Sequence, residues 1–153
     1  MPEELNKIIV RRFIEELWNE RKLDVADEIF AADCLTHQLQ SGAEISAEPR
    51  NPEAVKTHVA EWLQGFPDLR FTAEQMFGEA DRVITQLLMK GTHTGDWLGI
   101  EPTGKEITIR LVVIHRIENE KIVEDWVLVE SLGFFQQLGL VPTTQEILAN
   151  ATK

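Results

Sequence analysis

The sequence is short of cysteine and of positive charge, and it has no tyrosine. Its single cysteine, Cys34, excludes an internal disulfide and a cysteine-based zinc site, and is typical of a reducing compartment. Lysine and arginine number 15 against 26 acidic residues, so a net charge of -11 would repel a phosphate backbone. No apolar run approaches the roughly 18 residues of a membrane helix. We therefore expect a cytoplasmic protein that binds neither nucleic acid nor membrane.

The composition is that of an ordinary globular chain. Hydrophobic residues make up 43% and charged residues 27% of the 153 residues, which is long enough to bury a core. No repeat, linker or low-complexity segment divides the sequence. We expect one domain over residues 1–153.

Hydrophobic residues recur every three to four positions in the first part of the chain, which predicts helices. The first helix is predicted over Pro2–Arg21 and a shorter one over about Asp24–Phe30. A third begins at the N-cap Asn51, with Pro52 at the first helical position, and ends near Gly65. We expect these helices to cover one face of a sheet.

The hydrophobic period changes to two near Pro67, which predicts strands. Four strands with connections that permit an antiparallel meander are predicted at Leu69–Phe77, Arg82–Thr92, Glu106–Ile117 and Ile122–Glu130. A helical turn at Leu132–Leu138 and a tail helix after Thr143 or Thr144 follow. Helices followed by such strands give an α+β fold, in which a curved antiparallel sheet covered by N-terminal helices encloses an apolar pocket.

One segment imitates a phosphate-binding loop. Gly99 to Lys105 has the required glycine and lysine spacing, but Glu106 stands where Ser or Thr would hold magnesium. A predicted strand follows, whereas phosphate binding requires the N-terminus of a helix. We therefore interpret the segment as a turn.

The four histidines show no spacing typical of metal ligands, so we expect no metal site: His37, His58, His93 and His115. His58 is expected at the surface or partly packed. His115 shares a predicted strand face with apolar residues. It is either a core histidine bonded to a backbone carbonyl or a pocket donor that can carry a proton, and the sequence leaves both open.

The last predicted strand holds the strongest acid–base candidates. Its alternation places Glu124, Trp126 and Glu130 on one face and Asp125 on the other. A carboxyl group buried among apolar side chains has a raised pKa and can take a proton from carbon near neutral pH. Strand-end acids also face water or pair with arginine, so the pattern alone does not choose between Glu130 and Asp125.

The four tryptophans are expected mostly in the core, and Trp97, in the long loop before the third strand, can instead roof the pocket. We take Trp62, Trp97 and Trp126, together with Asp125, as candidate substrate contacts.

Three segments resemble the SnoaL-like polyketide cyclases, or ester cyclases, of the nuclear transport factor 2-like superfamily. These are Gly91–Lys105, Lys121–Trp126 and the closing Gln137-Leu138-Gly139, and the resemblance covers nearly the whole chain. It implies a cone-shaped α+β barrel that is usually dimeric. It also implies an intramolecular aldol condensation on a polyketide ester, without metal or organic cofactor.

The resemblance implies site residues as well. The family's acid–base aspartate lies near the end of the last strand, where this chain has Glu130. His115 is the nearest match to the family's pocket histidine, and His37 and His93 match further polar positions. We therefore expect Glu130, not Asp125, to face the pocket and take a proton from carbon, while His115, with help from His37 or His93, polarises or reprotonates the enolate oxygen.

Two other functions fit the same pocket: an isomerase or dehydratase resembling the ketosteroid isomerases, and a non-catalytic protein that binds a small apolar molecule. An acid and a histidine that converge on one buried spot would favour an enzyme, whereas an entirely apolar lining would favour a binding protein.

The predicted strand Glu106–Ile117 is apolar on both faces, and the helices cover only one of them. We therefore expect a homodimer that buries the other face.

Overall fold

The computed structural model describes residues 2–39 and 47–152. The first helix, α1 (Pro2–Arg12), continues as a wider π-helical segment (Phe13–Asn19), so the long helix predicted at the N-terminus has two parts. A short helix, α2 (Val25–Ile29), follows as predicted. The π-helical turn matters for the site, because its wider spacing presents Phe13 and Trp18 to the cavity described below.

The helix α3 (Pro52–Gly65) begins as its sequence predicts. The side chain of Asn51 accepts a hydrogen bond of 2.8 Å from the backbone N–H of Ala54, and proline occupies the first turn. Its buried stripe, which includes Val55 and Val59, packs over the sheet.

Six strands form one curved sheet, in the order β2-β1-β6-β5-β4-β3. Their bounds are β1 Phe30–Gln38, β2 Ala47–Pro49, β3 Arg70–Glu79, β4 Arg82–Thr92, β5 Glu106–Glu118 and β6 Lys121–Val129. The four predicted strands are β3 to β6, and they pair as the expected antiparallel meander. The α+β class and the curved sheet under N-terminal helices are confirmed.

Two strands were not predicted, and they change the sheet. The edge strand β2 pairs antiparallel with β1, whereas β1 pairs parallel with β6. The expectation of a wholly antiparallel sheet is therefore wrong at this one pair. β1 escaped prediction because its opening Ala31-Ala32-Asp33 breaks the apolar alternation, and none of these three residues is buried.

The inner face of the sheet and the helices enclose the core. On β5 every second residue, from Ile107 to Ile117, is buried. After β6 come α4 (Ser131–Gln137) and α5 (Thr144–Ala151), which begins with the capping box of Thr143 and Glu146. No helix among the described residues is long and apolar enough to span a membrane.

The outer face of the sheet carries an apolar patch exposed to solvent. Five large side chains, one from each of five strands, form this outer-face patch: Leu35, Phe77, Ile84, Val112 and Leu128. Two pairs are cross-strand neighbours, Phe77 with Ile84 and Val112 with Leu128. The outer face thus exposes a large apolar side chain on each of these five strands.

Candidate functional site

A cavity of about 290 Å³ lies between the inner face of the sheet and the helices. That volume is at the lower end of the range for small-molecule sites. Aromatic and aliphatic side chains supply most of its wall. The polar side chains that line it are Thr36, Gln38, Arg50, His58, His115, Asp125 and Ser131.

Three of these polar residues stand side by side on neighbouring strands. Asp125 of β6 is the register partner of Thr36 on one side and of His115 on the other. All three are almost fully buried, with exposed fractions of 5% for Asp125 and 1% each for Thr36 and His115. The sheet thus places a carboxyl, a hydroxyl and an imidazole in one row on the cavity wall.

The row has hydrogen-bonding capacity that the described residues do not satisfy. Oγ1 of Thr36, Oδ1 of Asp125 and both ring nitrogens of His115 are buried without a partner there. A buried polar group left without a partner costs about 1–3 kcal/mol. These groups can therefore hydrogen-bond to water or to a molecule bound in the cavity.

Burial sets the protonation of Asp125. Loss of solvent raises the pKa of its carboxyl from the ordinary 3.8 to about 6. A carboxyl with this pKa is ionised at neutral pH but holds a proton more readily than an exposed one. It is suited to act as a general base and then return the proton.

Burial has the opposite consequence for His115. It lowers the pKa of the imidazole to about 3, so the ring is neutral at physiological pH. The ring packs edge-on against Phe13, with 5.0 Å between the ring centroids. A neutral imidazole carries one N–H donor and one acceptor nitrogen, so it can donate a hydrogen bond to a carbonyl oxygen.

Glu130 does not line the cavity, and the expectation that it faces the pocket in place of Asp125 is wrong. β6 ends at Val129, and Glu130 is the exposed residue at which the chain turns into α4. Its backbone N–H donates to the carbonyl of Arg110, and its carboxylate lies against Gly133. The strand alternation thus directs Asp125 inward and leaves Glu130 outside.

His37 and Trp126 lie on the outer face, so neither is placed to contact a molecule in the cavity. They are register partners on β1 and β6, and their rings stack with 5.1 Å between centroids. Nε2 of His37 is 2.7 Å from Glu124, which also accepts a 3.0 Å hydrogen bond from Nε of Arg116. The expectation that His37 and Trp126 contact substrate is wrong, because each follows an inward-facing residue on its strand and therefore points to the other face.

His93 is fully buried but lies outside the cavity, so the expectation that it contacts substrate is also wrong. Its Nδ1 accepts a hydrogen bond of 3.2 Å from the backbone N–H of Thr103, and its ring stacks on Phe66. Its backbone also bonds to Gly104 and Lys105. These contacts close the base of the loop between β4 and β5, so the geometry of His93 is that of a loop anchor.

Trp62 and Trp97 both line the cavity, and the loop holds Trp97 there. The backbone N–H groups of Thr94 and Gly95 donate to the carbonyl of Gly65 at the end of α3. A Cβ at Gly65 would come within 2.5 Å of Cβ of Trp97, so only glycine permits this approach. The loop therefore rests on α3 and forms a wall of the cavity.

Sequence reasoning missed Thr36, Gln38 and Arg50, and it left His58 either at the surface or partly packed, without a place in the cavity. Thr36 and Gln38 belong to the unpredicted strand β1. His58 is half-buried, and burial lowers its pKa to about 4. His58 lies one helical turn before Trp62 in α3, and this spacing could have predicted that both side chains face the cavity. Among the described residues, no group of three or more His, Cys, Asp or Glu is placed to hold a metal ion.

Comparison with solved structures shows the same fold in several bacterial proteins. A protein described as a SnoaL-like polyketide cyclase, from Jannaschia sp. CCS1, superposes with a TM-score of 0.78 at 21% identity, covering 92% of this chain and 95% of that one. AclR from Streptomyces galilaeus, described as a hydroxylase, gives 0.79 at 21%, covering 98% and 90%. IdmH from Streptomyces antibioticus, described as a polyketide cyclase, gives 0.73 at 23%, covering 88% and 98%. At these identities the likeness shows the fold alone.

A comparison with curated proteins gave no match. The family model of the SnoaL-like polyketide cyclases, in contrast, matches residues 8–138. That range contains all six strands and the whole row of Thr36, Asp125 and His115. Since the match spans most of the sequence, the chain belongs to the SnoaL-like polyketide cyclase family.

Proposed function

We propose that this protein is an acid–base enzyme that cyclises a small, largely apolar carbonyl compound by an intramolecular aldol reaction. The observation that carries the proposal is the buried pair of Asp125 and His115. They are cross-strand neighbours, they lack partners among the described residues, and they face a mostly apolar cavity. Membership of the cyclase family supports the same reaction class.

The proposed reaction begins with ionised Asp125, which removes a proton from carbon next to a carbonyl group. His115 donates its ring N–H to the carbonyl oxygen and stabilises the enolate that forms. The enolate carbon then attacks a second carbonyl of the same molecule, forming the ring C–C bond. The resulting alkoxide takes back the proton held by Asp125, so proton and charge balance over the cycle.

The unpartnered acid favours an enzyme over a protein that only binds an apolar ligand. A binder can use a buried carboxyl only to orient a polar group of its ligand, whereas a base also uses the raised pKa that burial gives Asp125. The same pair could also move a proton between two carbons, as in an isomerase. Cyclase and isomerase differ in the product, so product analysis separates them once a substrate is found.

The first step can be tested without the natural substrate. 2-Tetralone is a bicyclic ketone with acidic α-hydrogens, and their exchange in deuterium oxide can be followed by NMR. We expect the protein to accelerate this exchange and Asp125→Asn to slow it by roughly a hundredfold, the usual worth of a positioned base. Glu130→Gln, which removes an exposed carboxylate, is the matched control and should retain the exchange. Full exchange by Asp125→Asn would remove Asp125 from the mechanism.

We also propose that the protein is a homodimer joined through the outer-face patch. Phe77 is 63% exposed, and several exposed large apolar side chains on one face of a sheet favour an interface with another copy of the chain. Val112 is flanked by Leu128 near the middle of the sheet, so a charge there opposes burial. In sedimentation we expect a dimer for the native protein and a monomer for Val112→Glu. A native monomer at micromolar concentration would contradict the proposal.

A further inference from the structure

Arg50 is a positively charged residue inside the cavity that the proposed reaction does not use. It follows β2, and its backbone N–H donates a 2.7 Å hydrogen bond to the carbonyl of Cys34. This bond holds Arg50 against β1 two residues before Thr36, the register partner of Asp125. Among the described residues, it is the only lysine or arginine that lines the cavity.

The side chain of Arg50 is largely buried, and its pairing among residues 2–39 and 47–152 is weak. Its side chain is 17% exposed, and its ion pair among the described residues is a long contact of 3.8 Å with Glu48, which is itself 58% exposed. Arg12 and Arg110, in contrast, each hold a carboxylate oxygen at 2.8 Å. Arg50 therefore retains hydrogen-bond donors for a molecule in the cavity.

The other polar groups of the cavity offer no positive charge. Burial keeps both His58 and His115 neutral at physiological pH. The protein as a whole carries a net charge of -11, so its long-range field repels anions. Recognition of an anion in this cavity would have to be local, and Arg50 is the residue able to provide it.

We infer that Arg50 binds a carboxylate of the substrate, so that the protein acts on an acidic carbonyl compound. The inference rests on the proposed function and narrows its substrate class. The planar guanidinium matches a carboxylate with two parallel hydrogen bonds. Because Arg50 lies beside Thr36 and Asp125, the substrate carboxylate is close to the carbon that loses its proton, and the apolar remainder extends toward Trp62 and Trp97.

A matched pair of ligands tests the inference by binding alone. Indane-2-carboxylate and indane-2-carboxamide have the same bicyclic shape and differ in charge. By calorimetry at pH 7.5, we expect the native protein to bind the carboxylate about tenfold more tightly than the amide. Arg50→Gln should abolish this preference and leave the amide affinity unchanged. Arg70→Gln, which removes the same charge from an exposed residue outside the cavity, should keep it.

Equal affinity of the native protein for the two ligands would overturn the inference, as would a preference that persists in Arg50→Gln. If Arg50→Gln does not fold, Arg50→Met keeps the length of the side chain and serves the same comparison. Asp125→Asn separates this inference from the proposed function, because it should lose exchange of 2-tetralone but still prefer the carboxylate. A preference without exchange in the native protein would refute the proposed function and leave the role of Arg50 standing.

Discussion

The two faces of the sheet each carry a histidine beside an acid, and the acids are consecutive in β6. On the outer face, Glu124 accepts hydrogen bonds from His37 and Arg116, which lower its pKa below the ordinary value. On the inner face, Asp125 beside His115 has an oxygen without a partner, and burial raises its pKa to about 6.

The comparison teaches that residue type does not assign the role. Glu124 is held in its charged form by its partners, so it is a poor proton acceptor and belongs to a structural network. Asp125 lies in a mostly apolar cavity where its charge is costly, so it takes up a proton more readily than an exposed carboxylate does. Only the alternation of one strand separates these two environments.

The largest expected difference is in proton exchange. Removing the outer network with the double variant His37→Gln/Glu124→Gln should change 2-tetralone exchange by less than about threefold, because neither group reaches the cavity. Asp125→Asn should lose roughly a hundredfold. NMR exchange rates measured on both proteins provide the comparison. A larger loss in the outer variant would mean that the outer network takes part in the reaction.

The two acids should also affect stability with opposite signs. Asp125 binds a proton more tightly in the folded than in the unfolded protein, so it lowers stability as pH rises from about 4 to 6. Asp125→Asn should therefore raise the free energy of unfolding by about 3 kcal/mol at pH 8 and by little at pH 4. Glu124→Gln should lower it by about 1 kcal/mol at pH 8, where the lost hydrogen bonds are charged. Urea unfolding at the two pH values measures both, and equal signs at pH 8 would contradict the comparison.

Variants of His115 and His37 should differ in exchange rate by a smaller factor than the variants of the two acids. His115→Phe removes the N–H that stabilises the enolate, and we expect exchange to fall about tenfold, with the pH dependence still set by Asp125. His37→Phe keeps the aromatic stack on Trp126 and should leave the exchange rate nearly unchanged. Rates over pH 5 to 8 for the two variants check this. An unaltered exchange rate in His115→Phe would mean that His115 only packs against Phe13 and does not stabilise the enolate.

Much of the architecture was predictable because periodicity is a local signal. The meander of β3 to β6 and the capped start of α3 at Asn51 follow directly from residue spacing. β1 was not predictable in this way, because its opening residues do not alternate and its parallel pairing with β6 joins segments far apart in sequence.

The site was predictable only in part. The alternation of β6 correctly separated Asp125 from Glu124, but the resemblance drew attention to Glu130, which lies beyond the end of the strand. The pairing of Asp125 with His115 depends on a register shift between Arg116 and Ile117, which no local pattern reveals. Thr36 and Arg50 were missed because Thr36 belongs to β1 and Arg50 is the residue after β2, the two strands that the sequence did not predict.

The most direct test of the account is the pKa of Asp125 itself. Carboxyl carbons titrated by NMR should show one aspartate with a midpoint near pH 6, and that signal should be absent from Asp125→Asn. Glu124→Gln should retain it. A midpoint near the ordinary value of 3.8 for Asp125 would mean that its carboxyl is solvated, and would contradict its role as a buried general base.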